Sequence, residues 1–316
     1  MNLPEAIENY ISHQRSLGMV FRTQAGILTR LGRALGSIEV DRIDATSVQM
    51  HLYSAPPPSR PGQFATMNGF FRFALQRRLL AESPLPIEKP TKPPYSKPYI
   101  YSPGEIRRLL DASEALEEWQ PTRLSLLPQL SMRTLILLLY GAGLRISEAT
   151  SLTLDDLDLL KARLLVRNAK FGKSRRLPIG PKLCEALRIY VKARNSLGRH
   201  PPPTPAVFVK RSGDPASRFA ADLSFAVVRG MAGIKRTDGA FFQPRLHDLR
   251  HTFAVHRLVA WYKAGANVQL LLPKLSTYLG HVGLAETQHY LTMTPELLRE
   301  ANLRFENYAA PEDYNA

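Results

Sequence analysis

Several residues of this chain have types and spacings that could act on one anionic centre. Arg145 stands in Gly141-Ala142-Gly143-Leu144-Arg145-Ile146-Ser147-Glu148, where glycines follow an apolar run and set an arginine at a turn. Glycine allows close backbone approach, and a guanidinium forks onto two phosphate oxygens. A surface arginine capping a helix would carry the same local pattern. In His247-Asp248-Leu249-Arg250-His251, His247 and Arg250 lie three residues apart, a spacing that shares one helix face. A metal set of His247, His251 and His256 lacks the glutamate of a zincin-like motif, so no metal is assigned. Between these motifs runs Lys170-Phe171-Gly172-Lys173-Ser174-Arg175-Arg176, either a solvated basic turn or one that presents a lysine to a phosphate. Leu279-Gly280-His281 follows, and nine residues later Tyr290, a phenol that alone would read as a core residue.

The elements that must position these residues fall into two domains. Seven prolines lie between Pro84 and Pro103; proline fixes φ and removes an amide donor, so this segment reads as an extended linker. The boundary is set at 98, giving domains 1–98 and 99–316. Before it, apolar residues recur at helical spacing in Ile7-Tyr10-Ile11, Ile27-Leu28-Leu31-Leu35 and Phe64-Met67-Phe70-Phe71-Ala74, and with a shorter helix near 46–53 they predict about four helices. After it, Ser102-Pro103-Gly104-Glu105 has the cap, N1 proline and acidic first turn of a helix start. Leu164-Leu165-Val166 and Arg176-Leu177-Pro178-Ile179 read as a hairpin around the basic turn, with Ala206 to Val209 as a candidate third strand. From Leu246 onward the pattern is helical again. Thr294-Pro295-Glu296 opens a tail helix with Leu298, Ala301, Phe305 and Tyr308 on one stripe. The fold class is mainly α with a small β-sheet.

Composition narrows the partners. The 316 residues hold 42 Lys plus Arg against 27 Asp plus Glu, a formal charge of +15, which points to a polyanion. The stretch Ala45 to Ala81 has no acidic residue, and Arg163 to Cys184 has seven basic and no acidic ones. These stretches put Arg72, Arg77 and Arg78, and Lys173, Arg175 and Arg176, forward as DNA contacts. The dense apolar run Leu135 to Tyr140 is far short of the roughly 20 residues of a membrane span, and the start shows no secretory signal pattern. Cys184 is the one cysteine, which excludes a disulfide framework and a thiolate zinc cage. A cytoplasmic protein that meets nucleic acid, and no membrane, is the expectation.

Taken together and in order, Arg145, Lys170, His247-x-x-Arg250, Leu279-Gly280-His281 and Tyr290 resemble the tyrosine recombinase (phage-type integrase) family at all six signature positions, across roughly Tyr99 to Leu298. The resemblance implies a helical core-binding (SAM-like) domain over 1–98, an α+β catalytic domain with a tail helix over 99–316, and a C-shaped clamp on DNA. It implies a site-specific recombinase of a mobile element that cuts and rejoins DNA through a 3′-phosphotyrosine, without metal or other cofactor. Tyr290 would attack the scissile phosphate and Arg145 and Arg250 would hold its non-bridging oxygens. Lys170 would protonate the leaving 5′-oxygen, His247 would assist proton transfer from Tyr290, and His281 would bond the phosphate. Glu148 resembles the family's supporting acidic residue. Partners would be double-stranded recombination sites and three further copies in a synaptic tetramer, with a monomer or weak oligomer off DNA. Many relatives carry glycine where Phe171 follows Lys170, so Lys173 stays open as the acid. An Xer-like chromosome or plasmid dimer resolvase, a type IB topoisomerase and a non-catalytic DNA-binding protein on the same scaffold are the alternatives.

Overall fold

The computed structural model describes residues 1–91, 97–116, 124–167, 174–194, 205–240, 242–293, 297–300 and 302–303. The chain divides into two compact units, Met1–Ser96 and Lys97–Ala316.

The first unit is helical. Helix α1 (Leu3–Ser16) starts where the Asn2 side chain accepts the Glu5 N–H, and α3 (Ala45–Ser54) where Asp44 accepts the Ser47 N–H, both satisfying donors that a helix start leaves free. Helices α2 (Arg22–Leu35) and α4 (Arg60–Gln76) complete the set expected from the apolar spacing. Their buried faces meet in one core, where the Tyr10 ring packs against Phe21, Phe70 and Phe73. Arg60 is spent inside the unit, donating to the carbonyls of Tyr53 and Ala55. Arg72, Arg77 and Arg78 are exposed at and beyond the end of α4.

In the second unit, α5 (Pro103–Glu114) opens with a capping box in which Ser102 and Glu105 exchange hydrogen bonds, as its sequence predicts. Helix α6 (Gln129–Ala142) is apolar nearly all round, and Met132, Leu135, Ile136 and Leu138 are fully buried; such a helix must run through the core. The short α7 (Ile146–Thr150) follows. The sheet has the order β1-β2-β3, with β1 (Leu157–Asp158), β2 (Arg163–Val166) and β3 (Arg175–Pro178) all antiparallel. Leu164 faces Leu177 across the hairpin, and both are buried.

The third strand is not the one expected. Val207, Phe208 and Val209 are all fully buried, so no face of the segment alternates with solvent as a half-exposed strand would. Its backbone instead bonds to the turn after α7, the Val207 N–H donating to Leu152 and the Leu154 N–H to Pro205. The strand that joins the sheet, Leu157–Asp158, is too short to show an alternation in sequence.

Helices α8 (Pro181–Ala193), α9 (Arg218–Met231), α10 (Asp248–Lys263), α11 (Val268–Leu279) and α12 (Ala285–Gln288) follow, the last running into a 3-10 turn, His289–Thr292. Phe253 and Leu258 of α10, Leu272, Leu275 and Leu279 of α11, Tyr290 and Leu297 form a second apolar cluster. Of the expected tail stripe, Leu298 is exposed, while Ala301, Phe305 and Tyr308 lie outside the described residues. Among the described residues no helix is long and apolar enough to cross a membrane.

Candidate active site

Two helix ends build the centre of the site. Helices α6 and α11 each stop at a glycine in the left-handed region, Gly143 at φ +60° and Gly280 at φ +70°. After α11 the His281 N–H returns to the Ser276 carbonyl, the crossed bond of a Schellman end. Neither glycine tolerates a side chain, since a Cβ at Gly143 would come 2.4 Å from the Phe253 ring and one at Gly280 2.8 Å from the Arg175 guanidinium. A helix C-terminus leaves carbonyls unpaired and partly negative, and here they receive arginines. Arg250 donates to the carbonyls of Gly143 and Leu279, each at 2.8 Å. Arg145 donates to the next carbonyl, that of Gly280, at 3.0 Å.

Glu148 ties this pair to the hairpin. Its carboxylate accepts the Arg145 backbone N–H and guanidinium, each at 2.9 Å, and lies 3.9 Å from Arg250. Arg175 of β3 meets the same carboxylate with both terminal nitrogens, at 3.0 and 2.9 Å, and donates its Nε to the Tyr278 carbonyl. Burial opposes ionisation of Glu148, but Arg175 and Arg145 outweigh it and hold the carboxyl at about 2. Burial and the Arg145 charge lower Arg250 to about 10, which leaves it cationic at neutral pH.

Arg175 was expected among the DNA contacts; its side chain is instead 14% exposed and occupied by Glu148. Arg176, its neighbour, is exposed, because successive strand side chains point to opposite faces. Composition alone does not mark which residue of a basic run turns inward; alternation with the buried Leu177 does.

Tyr290 sits on the 3-10 turn with 3% of its surface exposed. Its hydroxyl is 3.0 Å from Nδ1 of His251, and its ring stacks near that of His281 at 6.1 Å between centroids. His247, the imidazole expected to assist Tyr290, lies at the start of α10 with its ring edge-on to His251 at 5.0 Å. His281 pairs through Nδ1 with the Thr287 hydroxyl at 2.7 Å. Burial, reinforced by the surrounding arginines, pushes His247, His251 and His281 each down to about 4. His256, the third member of the metal set weighed above, turns elsewhere and bonds the Tyr140 hydroxyl at 3.0 Å.

The structure therefore brings Arg145, Arg250, Glu148, His247, His281 and Tyr290 together. Lys170 and Lys173 lie in 168–173, outside the described residues. The sequence reading missed two members, Arg175 and His251. Alternation on the hairpin strand was the available signal for Arg175, and the adjacency of His251 to Arg250 the available one for the histidine.

Residues 102–296 match the phage integrase family. A Sinorhizobium fredii protein named integrase/recombinase y4rB is 36% identical over 310 residues, covering 96% of both chains. The tyrosine recombinase XerD of Bifidobacterium longum is 30% identical over 252 residues, covering 78% of this chain and 74% of its own. Among solved structures, a lambda integrase tetramer bound to a Holliday junction superposes with a TM-score of 0.61 at 15% identity, covering 92% of this chain and 77% of that one, a likeness of fold. The chain belongs to the phage integrase family, the tyrosine-type site-specific DNA recombinases.

Proposed function

We propose that the protein recombines DNA sites for a mobile genetic element, with Tyr290 as the nucleophile. The observation that carries the chemistry is the placement of two guanidiniums on consecutive carbonyls, Arg250 on Leu279 and Arg145 on Gly280, immediately before His281, with the Tyr290 phenol near enough to Arg250 to interact with its charge. Such donors are held before the reaction begins, which is what stabilises charge as it builds on the non-bridging oxygens of a pentavalent phosphate. Tyr290 attacks the phosphate, forms a 3′-phosphotyrosine and releases a 5′-hydroxyl. Because the phosphodiester is kept as an ester, rejoining needs no nucleotide. Lys170, or Lys173 if the hairpin shifts the roles, protonates the leaving oxygen. The Nδ1 contact of His281 with Thr287 turns its Nε2 away from that partner, as a donor for the phosphate.

The mobile-element role rests on the match to an integrase/recombinase over 96% of both chains, against 78% of this chain for an XerD. A chromosome or plasmid dimer resolvase performs the same chemistry on other sites. The active assembly is a homotetramer around two DNA sites, with the tail helix of each subunit on its neighbour; the likeness in fold to a lambda integrase tetramer bound to a Holliday junction supports the tetramer. Both units contact DNA, the first through Arg72, Arg77 and Arg78 and the second through Arg176. The reaction takes place in the cytoplasm. Nicked suicide duplexes made from the DNA flanking the protein's own gene test this: a covalent adduct mapped to Tyr290 is expected, and an adduct mapped to Tyr308 or Tyr314 refutes the assignment.

A further inference from the structure

The chemistry just described needs a group that takes the proton of the Tyr290 hydroxyl, since a phenol titrates near 10 and is a weak nucleophile at neutral pH. The resemblance names His247 for that task, yet the imidazole in contact with the hydroxyl is that of His251, with Nδ1 at 3.0 Å. We propose that His251 is the catalytic base for Tyr290, a reading that rests on the recombinase function above.

His251 directly follows Arg250 on α10, so one helical turn carries both a phosphate-binding guanidinium and the base. The His251 and Tyr290 rings stand 5.6 Å apart, tilted by 54°, and the burial of Tyr290 gives bulk water little access. His247 packs edge-on against the His251 ring, where it supports the base. Burial, then the charges of Arg250 and Arg245 and the neighbouring His281 and His289, keep the His251 ring neutral before DNA arrives. A neutral ring with its proton on Nε2 offers Nδ1 as an acceptor. A phosphate seated on the arginines offsets their charge and makes the ring more basic at the moment it is needed.

The step balances. The Tyr290 O–H bond breaks, its proton passes to Nδ1, and the oxygen's electron pair forms the bond to phosphorus. The bond from phosphorus to the 5′-oxygen breaks, its electron pair leaves on that oxygen, and the hairpin lysine protonates it. On rejoining, the 5′-hydroxyl gives its proton to the hairpin lysine as its oxygen bonds to phosphorus, the bond from phosphorus to the Tyr290 oxygen breaks, and the proton held by His251 returns to the departing phenolate.

The test compares His251→Asn, which keeps an oxygen acceptor near the Nδ1 position without basicity, with His251→Ala, which removes both. On nicked duplexes from the DNA flanking the gene, both variants should bind as the wild type does and form the covalent adduct about a hundredfold or more slowly. With difluorotyrosine in place of Tyr290, whose phenol ionises more readily, the deficit of His251→Asn should shrink, while that of His247→Asn should not. Wild-type adduct rates for His251→Asn overturn the proposal, as does a deficit indifferent to the acidity of the phenol, the mark of a positioning role. No adduct from the wild type on any of these duplexes overturns the recombinase reading itself, and the base with it. A measurement without DNA guards the contact: ¹⁵N spectra of histidine-labelled protein should show His251 neutral with its proton on Nε2, and Tyr290→Phe should shift its Nδ1 signal. A proton on Nδ1 overturns the proposal.

Discussion

The arginine cradle and the nucleophile segment lie side by side in the second unit and are held in opposite ways. Arg145, Arg175 and Arg250 are each fixed by two or more hydrogen bonds to Glu148 or to helix-end carbonyls. Tyr290 rides on a four-residue 3-10 turn after a four-residue helix, its hydroxyl on the His251 ring. The groups proposed to stabilise charge are preorganised, so little free energy is spent orienting them when DNA binds. The proposed nucleophile sits on two short elements, anchored by its buried phenol.

The largest expected effect breaks the comparison at its nucleophile. Tyr290→Phe keeps the ring and its packing in the second cluster, so it should bind DNA with unchanged affinity and form no adduct at all, read by gel shift and denaturing electrophoresis.

Substitution of the bridging 5′-oxygen by sulfur sharpens the division of labour. Loss of a positioned general acid typically costs about 10²–10⁴-fold, and a thiol, titrating near 8.5, leaves without one. Lys170→Ala should therefore be slow on ordinary DNA and largely restored on the sulfur substrate. Rescue of Lys173→Ala instead exchanges the two lysines. Arg145→Ala should lose about 10²–10³-fold and gain nothing from sulfur, because its carbonyl-held guanidinium serves the non-bridging oxygens.

Glu148→Gln tests whether the cradle is also a stability element. The folded carboxyl is held at about 2, below its ordinary 4.5, so its contribution, roughly 3 kcal/mol, is complete above pH 4.5 and lost as pH falls toward 2. His247, His251 and His281 are lowered from 6.5 to about 4, so their neutral rings stabilise the fold above pH 6.5 and cease to as pH falls through 4. Denaturation midpoints of the wild type should thus fall in two windows on acidification. The variant should start lower, keep the histidine window and lack the lower one.

The smallest effect lies outside both regions. Reversing exposed Arg72, Arg77 and Arg78 to Glu should weaken binding and flatten its dependence on salt, since fewer counterions are released, while adduct formation by whatever complex remains keeps its rate. A slower rate at saturating protein would place these residues in the chemistry.

Much of the site was legible in the sequence because it is built on local pattern. Gly143 before Arg145 and Gly280 before His281 announce helix ends, the three-residue spacing of His247 and Arg250 announces a helix turn, and the Ser102 capping box announces α5. What was misread shares one cause. Arg175 and Arg176 are equivalent by composition, and only the sheet's register against β2 sends Arg175 inward to Glu148. Val207 to Val209 has the apolar run of a strand, and only the pairing of its segment with Leu152 to Leu154 and with Pro215 and Ala216, through isolated bridges, keeps it out of the sheet. That the Tyr290 hydroxyl meets His251 and not His247 depends on where a 3-10 turn 39 residues later lays it down. Residue types and short spacings determined the chemistry available to this protein; which side chain touches which depends on contacts between distant segments, and those are set by packing, which no local pattern encodes.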